Sequence, residues 1–334
     1  MRSLNGHRLM TRRSWLQGVS LTALAIATRS IVARAASWPE RRVRIIVPYA
    51  AGSVTDFIAR VISHGLSEKF GQTFLVENKT GASGIIATDL VAHAEPDGYT
   101  LLLTAPGPLV VIPQIQDVPY DPDKFVPIGV AGSFPLLLAI KPSLPASNLS
   151  EFIAYAKASP GKLNYSSGGV GQISHLAIAL LASRAGLELT HIPYNRGTAL
   201  AVAALVAGEV DINLSSEADL SAHIAANKIR VLATTASERI ASLPNVPTIR
   251  ETFPDFTLNA WNGIVAPPGT PRQVVDTIAE GLTNLSTAPE VVERLTKVGI
   301  VPGGASRADF GKLISKDKSF YKAAIKAAGI SRRP

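Results

Sequence analysis

The 334-residue sequence contains no cysteine. Disulfides, thiolate metal centres, iron–sulfur clusters and a lipid-modified N-terminal cysteine are thereby excluded. Aromatic residues are scarce at 6% and charged residues low at 17%. Small and aliphatic residues are abundant, which suits an α/β interior. The N-terminal apolar run, Gly18 to Ala27, is about half of the ~20 residues needed to cross a bilayer, and Thr28-Arg29-Ser30 interrupts it. The six histidines show no pair at metal-ligand spacing, and no Gly-x-Ser-x-Gly elbow marks a hydrolase nucleophile. Neither a metal nor a cofactor is expected, and there is no fixed-period repeat or low-complexity tract.

Residues 1–36 read as an export address. The arginine pair of Thr11-Arg12-Arg13-Ser14-Trp15-Leu16 precedes the short apolar run, and Ala33-Arg34-Ala35 offers small residues to a signal peptidase. This pattern points to the twin-arginine route and hence to the periplasm. Residues 1–35 carry six arginines and no Asp, Glu or Lys, so their removal lowers the formal charge from +8 to +2. The basic excess belongs to the address, and nucleic acid is not an expected partner.

From Val43 onward, strand-like and helix-like segments alternate. Val43, Ile45 and Val47 alternate as a strand; Thr55 to Phe70 has helical spacing at Ile58, Val61, Ile62 and Leu66 and stops at Gly71. Strands follow at Thr73-Phe74-Leu75-Val76 and 99–103, with a helix from Gly84 to Ala94. A second set starts near Phe134: a helix opened by Asn148 and Glu151, strands at 163–165, 189–193, 210–214 and 229–233, and helices at 172–185 and 198–207. The tail reads as helices, with starts at Thr270-Pro271, Thr287/Glu290 and Ser306/Asp309. Such alternation implies two lobes with mostly parallel sheets and helices on their faces.

Ligands of parallel α/β lobes collect at the carboxyl ends of strands. Three strand-to-helix loops are rich in small residues: 48–56, 78–84 and 166–175. Each precedes a helix and so presents unpaired amides at the positive end of a dipole, a setting for a carboxylate or another small anion. Ordinary tight turns use the same residues, and composition does not separate the two readings. Gly169-Val170-Gly171-Gln172-Ile173-Ser174 partly matches a dinucleotide loop. Asp56 and Asp211 are lone carboxylates near strand ends, with no evident partner for general-base work. His175 reads as a helix-start residue near the cleft.

Several segments together resemble the Bug-type periplasmic receptors of the tripartite tricarboxylate transporter family. They are Pro48-Tyr49-Ala50-Ala51-Gly52-x-x-Thr55-Asp56, Val76-Glu77-Asn78-Lys79-x-Gly81-Ala82-x-Gly84, Pro96-Asp97-Gly98-Tyr99-Thr100-Leu101, Tyr120-Asp121-Pro122, Ser167-Gly168-x-x-Gly171-x-x-Ser174-His175-Leu176, His191-Ile192-Pro193-Tyr194, Leu243-Pro244-x-Val246-Pro247-Thr248 and Ala266-Pro267-x-Gly269-Thr270-Pro271. The resemblance implies a type II periplasmic-binding fold: lobe 1 from 37–135 and 256–334, lobe 2 from 136–255, and a ligand in the cleft between them. It implies a monomeric solute-binding protein, not an enzyme, that closes on a small carboxylate and delivers it to membrane transporter subunits. The implied ligand contacts are Tyr49, Ala51, Gly52, Ser53, Asp56, Gly84 and Thr104 in lobe 1. Those in lobe 2 are Ser166, Ser167, Gly168, Gly171, Ser174, Tyr194 and Ser215.

The family's usual Gly-Gly-Pro is Gly52-Ser53-Val54 here, Ser83, Ile85 and Ala87 depart from the second motif, and Asn195-Arg196-Gly197 reads as a one-residue insertion. Some relatives carry Asp where Ser215 falls, and its absence argues against an amino-acid ligand. Two alternatives are open to the same sequence: an exported enzyme with a nucleotide-like cofactor at the 169–174 loop, or a receptor that presents its ligand-bound form to a membrane kinase.

Overall fold

The computed structural model describes residues 38–194 and 198–332. The export address and the Asn195-Arg196-Gly197 stretch lie outside the described residues. The body of the fold begins at Arg41.

The run Val43–Val47 forms β1, in which Val43, Ile45, Ile46 and Val47 are fully buried. Burial on both faces is the signature of a central parallel strand, and β1 pairs in parallel with β2 (Phe74–Asn78) and β3 (Thr100–Thr104). Helix α1 (Val54–Phe70) links β1 to β2; Ser53 caps its start and Gly71, at φ 64, ends it. Helix α2 (Ile85–Ala92) links β2 to β3. After β3, a wide turn at Gly107–Val111 runs into the short α3 (Ile112–Ile115).

The central connector is β4 (Val126–Ile140), fifteen residues long. At ~3.3 Å per residue it spans on the order of 50 Å, enough to serve two sheets. Up to Pro135 it pairs antiparallel with β9 (Asn259–Ala266), and from Leu136 with β7 (Ile212–Ser216) and β8 (Arg230–Thr234). The sequence pattern shows this strand only from Phe134, because Pro127, Gly129 and Gly132 mask its first part. The structure accommodates them at register shifts beside β9, where a missing N–H or side chain is tolerated.

The second half repeats the first. Helix α4 (Leu149–Lys157) is capped by Asn148, and β5 (Leu163–Ser167) pairs in parallel with β6 (Leu189–Pro193) and β7. Helices α5 (Ile173–Ala185), α6 (Thr198–Ala207) and α7 (Glu217–Ala225) complete its strand–helix run. The order β2-β1-β3-β9-β4-β7-β5-β6, with β8 and β10 (Val301–Pro302) also on β4, is therefore a curled mixed sheet. Its strand–helix runs are parallel, as expected, and the crossing strands β4 and β9 add antiparallel pairs.

The tail is not helical throughout, because β9 lies in it; Asn259, Asn262 and Gly263 hid that strand. Helices α8 (Arg272–Leu285), α9 (Pro289–Thr296) and α10 (Arg307–Ala327) follow. Two expected caps are absent. Thr270 gives its hydroxyl to the Pro267 carbonyl, leaving Pro271 at the cap position, and Thr287 bonds the Asn284 carbonyl. Ser306 does cap α10, accepting from the Asp309 amide. Helix α10 packs on β4, on the 107–111 turn and on α5 of the second half. Its Phe310 ring covers Gly263 and meets Trp261 edge-on, and Asp317 accepts from Trp261 Nε1 at 2.6 Å. One hydrophobic cluster runs continuously through both halves beneath this helix.

Candidate functional site

The three small-residue loops stand at the carboxyl ends of β1, β2 and β5, as the sequence places them. Asp56 organises the first. Its buried carboxylate accepts from the Gly52 amide at 2.9 Å, from Arg60 at 3.0 Å and from Asn78 Nδ2 at 2.9 Å. Asn78 also donates to the Tyr49 carbonyl at 3.0 Å. Burial pushes the Asp56 carboxyl upward, but the bonds from Arg60, Gly52 and Asn78 outweigh it and hold the group below the usual carboxylate range. Asp56 thus shapes the loop, and the resemblance motif contained its partner Asn78 without marking it as one.

The loops of the first half converge. A Cβ on Gly84, whose φ is +93°, would lie 2.5 Å from Pro108 Cγ and 3.1 Å from Pro48 Cβ, and one on Gly107 would lie 3.2 Å from the Tyr49 hydroxyl. Gly84 therefore sits where the loops after β1, β2 and β3 touch. Ala51 and Gly52 are exposed, Ser53 is half-buried, and Thr104 is buried at the end of β3 with its hydroxyl on the Ala105 carbonyl at 3.2 Å. Burial raises the Tyr49 phenol above its ordinary value.

In the second half the predicted hydroxyls knit the loop together. Ser215 donates to Asn213 Oδ1 at 2.7 Å, Asn213 Nδ2 donates to Ser166 Oγ at 2.9 Å, and Ser166 donates to the Ala201 carbonyl at 2.9 Å. All three side chains are buried. Ser167 Oγ accepts from the Gly169 amide at 3.1 Å and pairs with His191 Nε2 at 2.7 Å. The Gly171 amide donates to His175 Nδ1 at 3.1 Å. Tyr194 gives its amide to the Ser167 carbonyl at 2.9 Å, and Gly168 is half-buried in the turn. Helix α5 begins at Gln172 with no side-chain cap. Its first amides, among them that of buried Ser174, have no carbonyl within the helix to bind.

The second-half loop reaches the first half. A Cβ on Gly171 would lie 3.0 Å from Ile115 Cδ1, so the second-half loop approaches the short helix of the first half. What the loops offer chemically is helix starts of positive polarity, rimmed by glycine and serine, with those of α2 and α5 lacking a side-chain cap. The dinucleotide-like match is weakened by the same geometry, since the Gly169 and Gly171 amides are already bonded within the loop. Asp211, the other lone carboxylate, is a frame residue: it accepts from the Asn164 amide at 2.8 Å and pairs with Lys141 at 2.6 Å.

His191 and Asn213 carry weight that sequence reasoning missed, because strand pairing, not sequence spacing, brings them to the loop. Among the described residues no group of three or more His, Cys, Asp or Glu could hold a metal ion, and no helix is long and apolar enough to cross a membrane.

Residues 58–330 match the family described as "Tripartite tricarboxylate transporter family receptor". A UPF0065 protein from the tcbD-tcbE intergenic region of Pseudomonas sp. strain P51 is 39% identical over 298 residues, covering 88% of each chain. Among solved structures, R. palustris Rpa4515 with adipate superposes with a TM-score of 0.79 at 32% identity, covering 89% of this chain and 100% of that one. MatC (Rpa3494) from Rhodopseudomonas palustris with bound malate gives 0.74 at 31% identity, covering 86% and 100%.

Proposed function

The chain belongs to the receptor family of tripartite tricarboxylate transporters, and from that premise we propose that it captures a small carboxylate between two lobes and hands it to membrane transporter subunits. The observation that carries this reading is the contact of the loop before the uncapped α5 start, through Gly171, with Ile115 of the first half's short helix. A carboxylate bridging helix starts of the two lobes binds the closed form better than the open one and shifts the population towards closure. The similar structures with adipate and malate support a carboxylate ligand.

The lobes of this reading are 37–135 with 256–334, and 136–255; the change of partner along β4 between Pro135 and Leu136 supports that division. Ligand contacts fall to Tyr49, Ala51, Gly52, Ser53, Gly84 and Thr104 on one side and to Gly168, Gly171, Ser174 and Tyr194 on the other. Asp56, Ser166, Ser167 and Ser215 hold the loops in shape behind them. The protein acts as a monomer in the periplasm, without catalysis, after export through the twin-arginine route.

Thermal denaturation of ligand-stripped protein against mono-, di- and tricarboxylates tests the function. A ligand at a hundred times its Kd stabilises by about 2.7 kcal/mol, so a true ligand raises Tm by several degrees. A panel with no shift sinks the proposal. Replacing Arg12 and Arg13 together by lysine tests the route, and undiminished export would reject it.

A further inference from the structure

Behind the loop between β5 and α5 lies an arrangement that ligand contact does not explain. His175 and His191 stack ring on ring, centroids 3.7 Å apart and planes 5° from parallel, with Tyr165 stacked on His191 at 4.9 Å. The rings come from α5, β6 and β5, so the sheet register assembles them. Each imidazole holds one part of the loop. His175 Nδ1 accepts from the Gly171 amide, which requires that nitrogen to be bare and the proton to sit on Nε2. His191 Nε2 pairs with Ser167 Oγ, which in turn accepts from the Gly169 amide. Gly169 and Gly171 stand at φ +139° and +79°. Glycine reaches such angles freely but does not select them; the bonds to Ser167 and His175 select them here.

A second proton on His175 would place two donors face to face at the Gly171 amide and a cation against the His191 ring. Burial holds both imidazoles down, to about 4, with His191 adding to the effect on His175. A hollow of about 720 Å³ borders the rings and gives protons a way in. Besides the imidazoles, its titratable lining groups are Tyr165 and the exposed Glu188, and the end of α10 contributes only Ala327, Ala328 and Ile330. Arg184, on the same helix as His175, turns to the Phe256 ring.

We infer that His175 is a positioning residue for ligand capture: its bare Nδ1 holds the 168–171 turn in the shape that receives a carboxylate, and proton uptake by the His175–His191 stack releases the turn. The ligand half of this inference rests on the proposed function, whereas the turn half does not. The test compares wild type with His175→Asn, whose Oδ1 can replace Nδ1 as a non-titrating acceptor, and with His175→Leu. Two readings are taken at pH 7.5 and pH 4: hydrogen-exchange protection of the Gly171 amide without ligand, and affinity for adipate and malate, with circular dichroism reporting the fold.

In wild type, Gly171 is expected to be protected at pH 7.5 and to lose at least tenfold of that protection at pH 4. His175→Asn keeps it at both pH values, and His175→Leu lacks it at both. Affinity at pH 7.5 follows the same order for whichever carboxylate binds, with wild type and His175→Asn alike and His175→Leu weaker; at pH 4 the ligand's own carboxyls take up protons, so the amide reading alone decides there. Equal protection of Gly171 in His175→Leu at pH 7.5 overturns the inference, as does an acid loss in His175→Asn matching that of wild type. Should neither carboxylate, nor any in the wider panel, bind wild type, the proposed function falls while the amide readings still decide whether His175 holds the turn.

Discussion

Asp56 shows how a residue can matter to a binding loop without touching a ligand. Its carboxylate gathers the Gly52 amide, the Asn78 amide and the Arg60 guanidinium into one node beneath the exposed tip of the loop. Truncation leaves buried donors without an acceptor, which is more damaging than the loss of a single bond. Asp56→Ala should therefore cost about 2–4 kcal/mol, read by urea denaturation at pH 7. A loss below ~0.5 kcal/mol, the level of an ordinary surface substitution, would remove Asp56 from this role. Because its carboxyl is held below the usual range in the folded state, its contribution is present above the unfolded pKa and fades as pH falls through the folded one. Asp56→Asn keeps the shape and one acceptor oxygen, so it should weaken that acid dependence and lose less stability at pH 7 than Asp56→Ala.

Among the elements, the close contacts of glycine decide whether the loops meet. Gly84→Ala must force a side chain into Pro108 and Pro48 at an unfavourable φ, with about 2–4 kcal/mol expected from strain and overpacking together. Gly71→Ala, at φ +64° but facing open space, isolates the backbone share and should cost only about 1–2 kcal/mol. Equal losses in the two variants, compared by thermal denaturation, would mean that the loops do not rely on the Gly84 contact.

The same contrast explains what the sequence could reveal. The parallel strands and their helices were legible because burial writes itself as an apolar run or a 3.6-residue period. The first part of β4 and the whole of β9 were not, since prolines, asparagines and glycines serve there at register shifts and close packing. At the site, the loop glycines and serines were visible as residues, but their division of labour was not. Ser166 and Ser215 hold Asn213, and Ser167 holds His191, through pairings that exist only once β5, β6 and β7 lie side by side.

For the whole molecule, two buried titrating centres pull stability in opposite directions over the same pH window. The imidazoles of His175 and His191 sit near 4 when folded, well below the ordinary value of 6.5, so the unfolded chain binds more protons between those values. Their contribution is present above pH ~6.5 and is lost as pH falls towards 4, on the order of a few kcal/mol for the pair. Asp317 does the reverse. Burial lifts its carboxyl to about 6, although the bond from Trp261 opposes that, so the folded state binds the extra proton. Its contribution is complete below pH ~4 and lost as pH rises through 6. Wild type should thus show a shallow profile in which the two slopes partly cancel.

Asp317→Asn removes one of them while its amide oxygen still accepts from Trp261. The variant should be more stable than wild type at pH 7.5 by about 1–3 kcal/mol, since the lift of the carboxyl to about 6 sets the ceiling. It should show no gain at pH 4 and a steeper rise between the two. Denaturant titrations of both proteins from pH 4 to pH 8 supply the curves. Parallel profiles would show that Asp317 is ionised in the folded state without penalty. That outcome would leave the desolvated Asp317–Trp261 contact, which ties α10 to the crossing strand β9, without influence on the acid response of the fold.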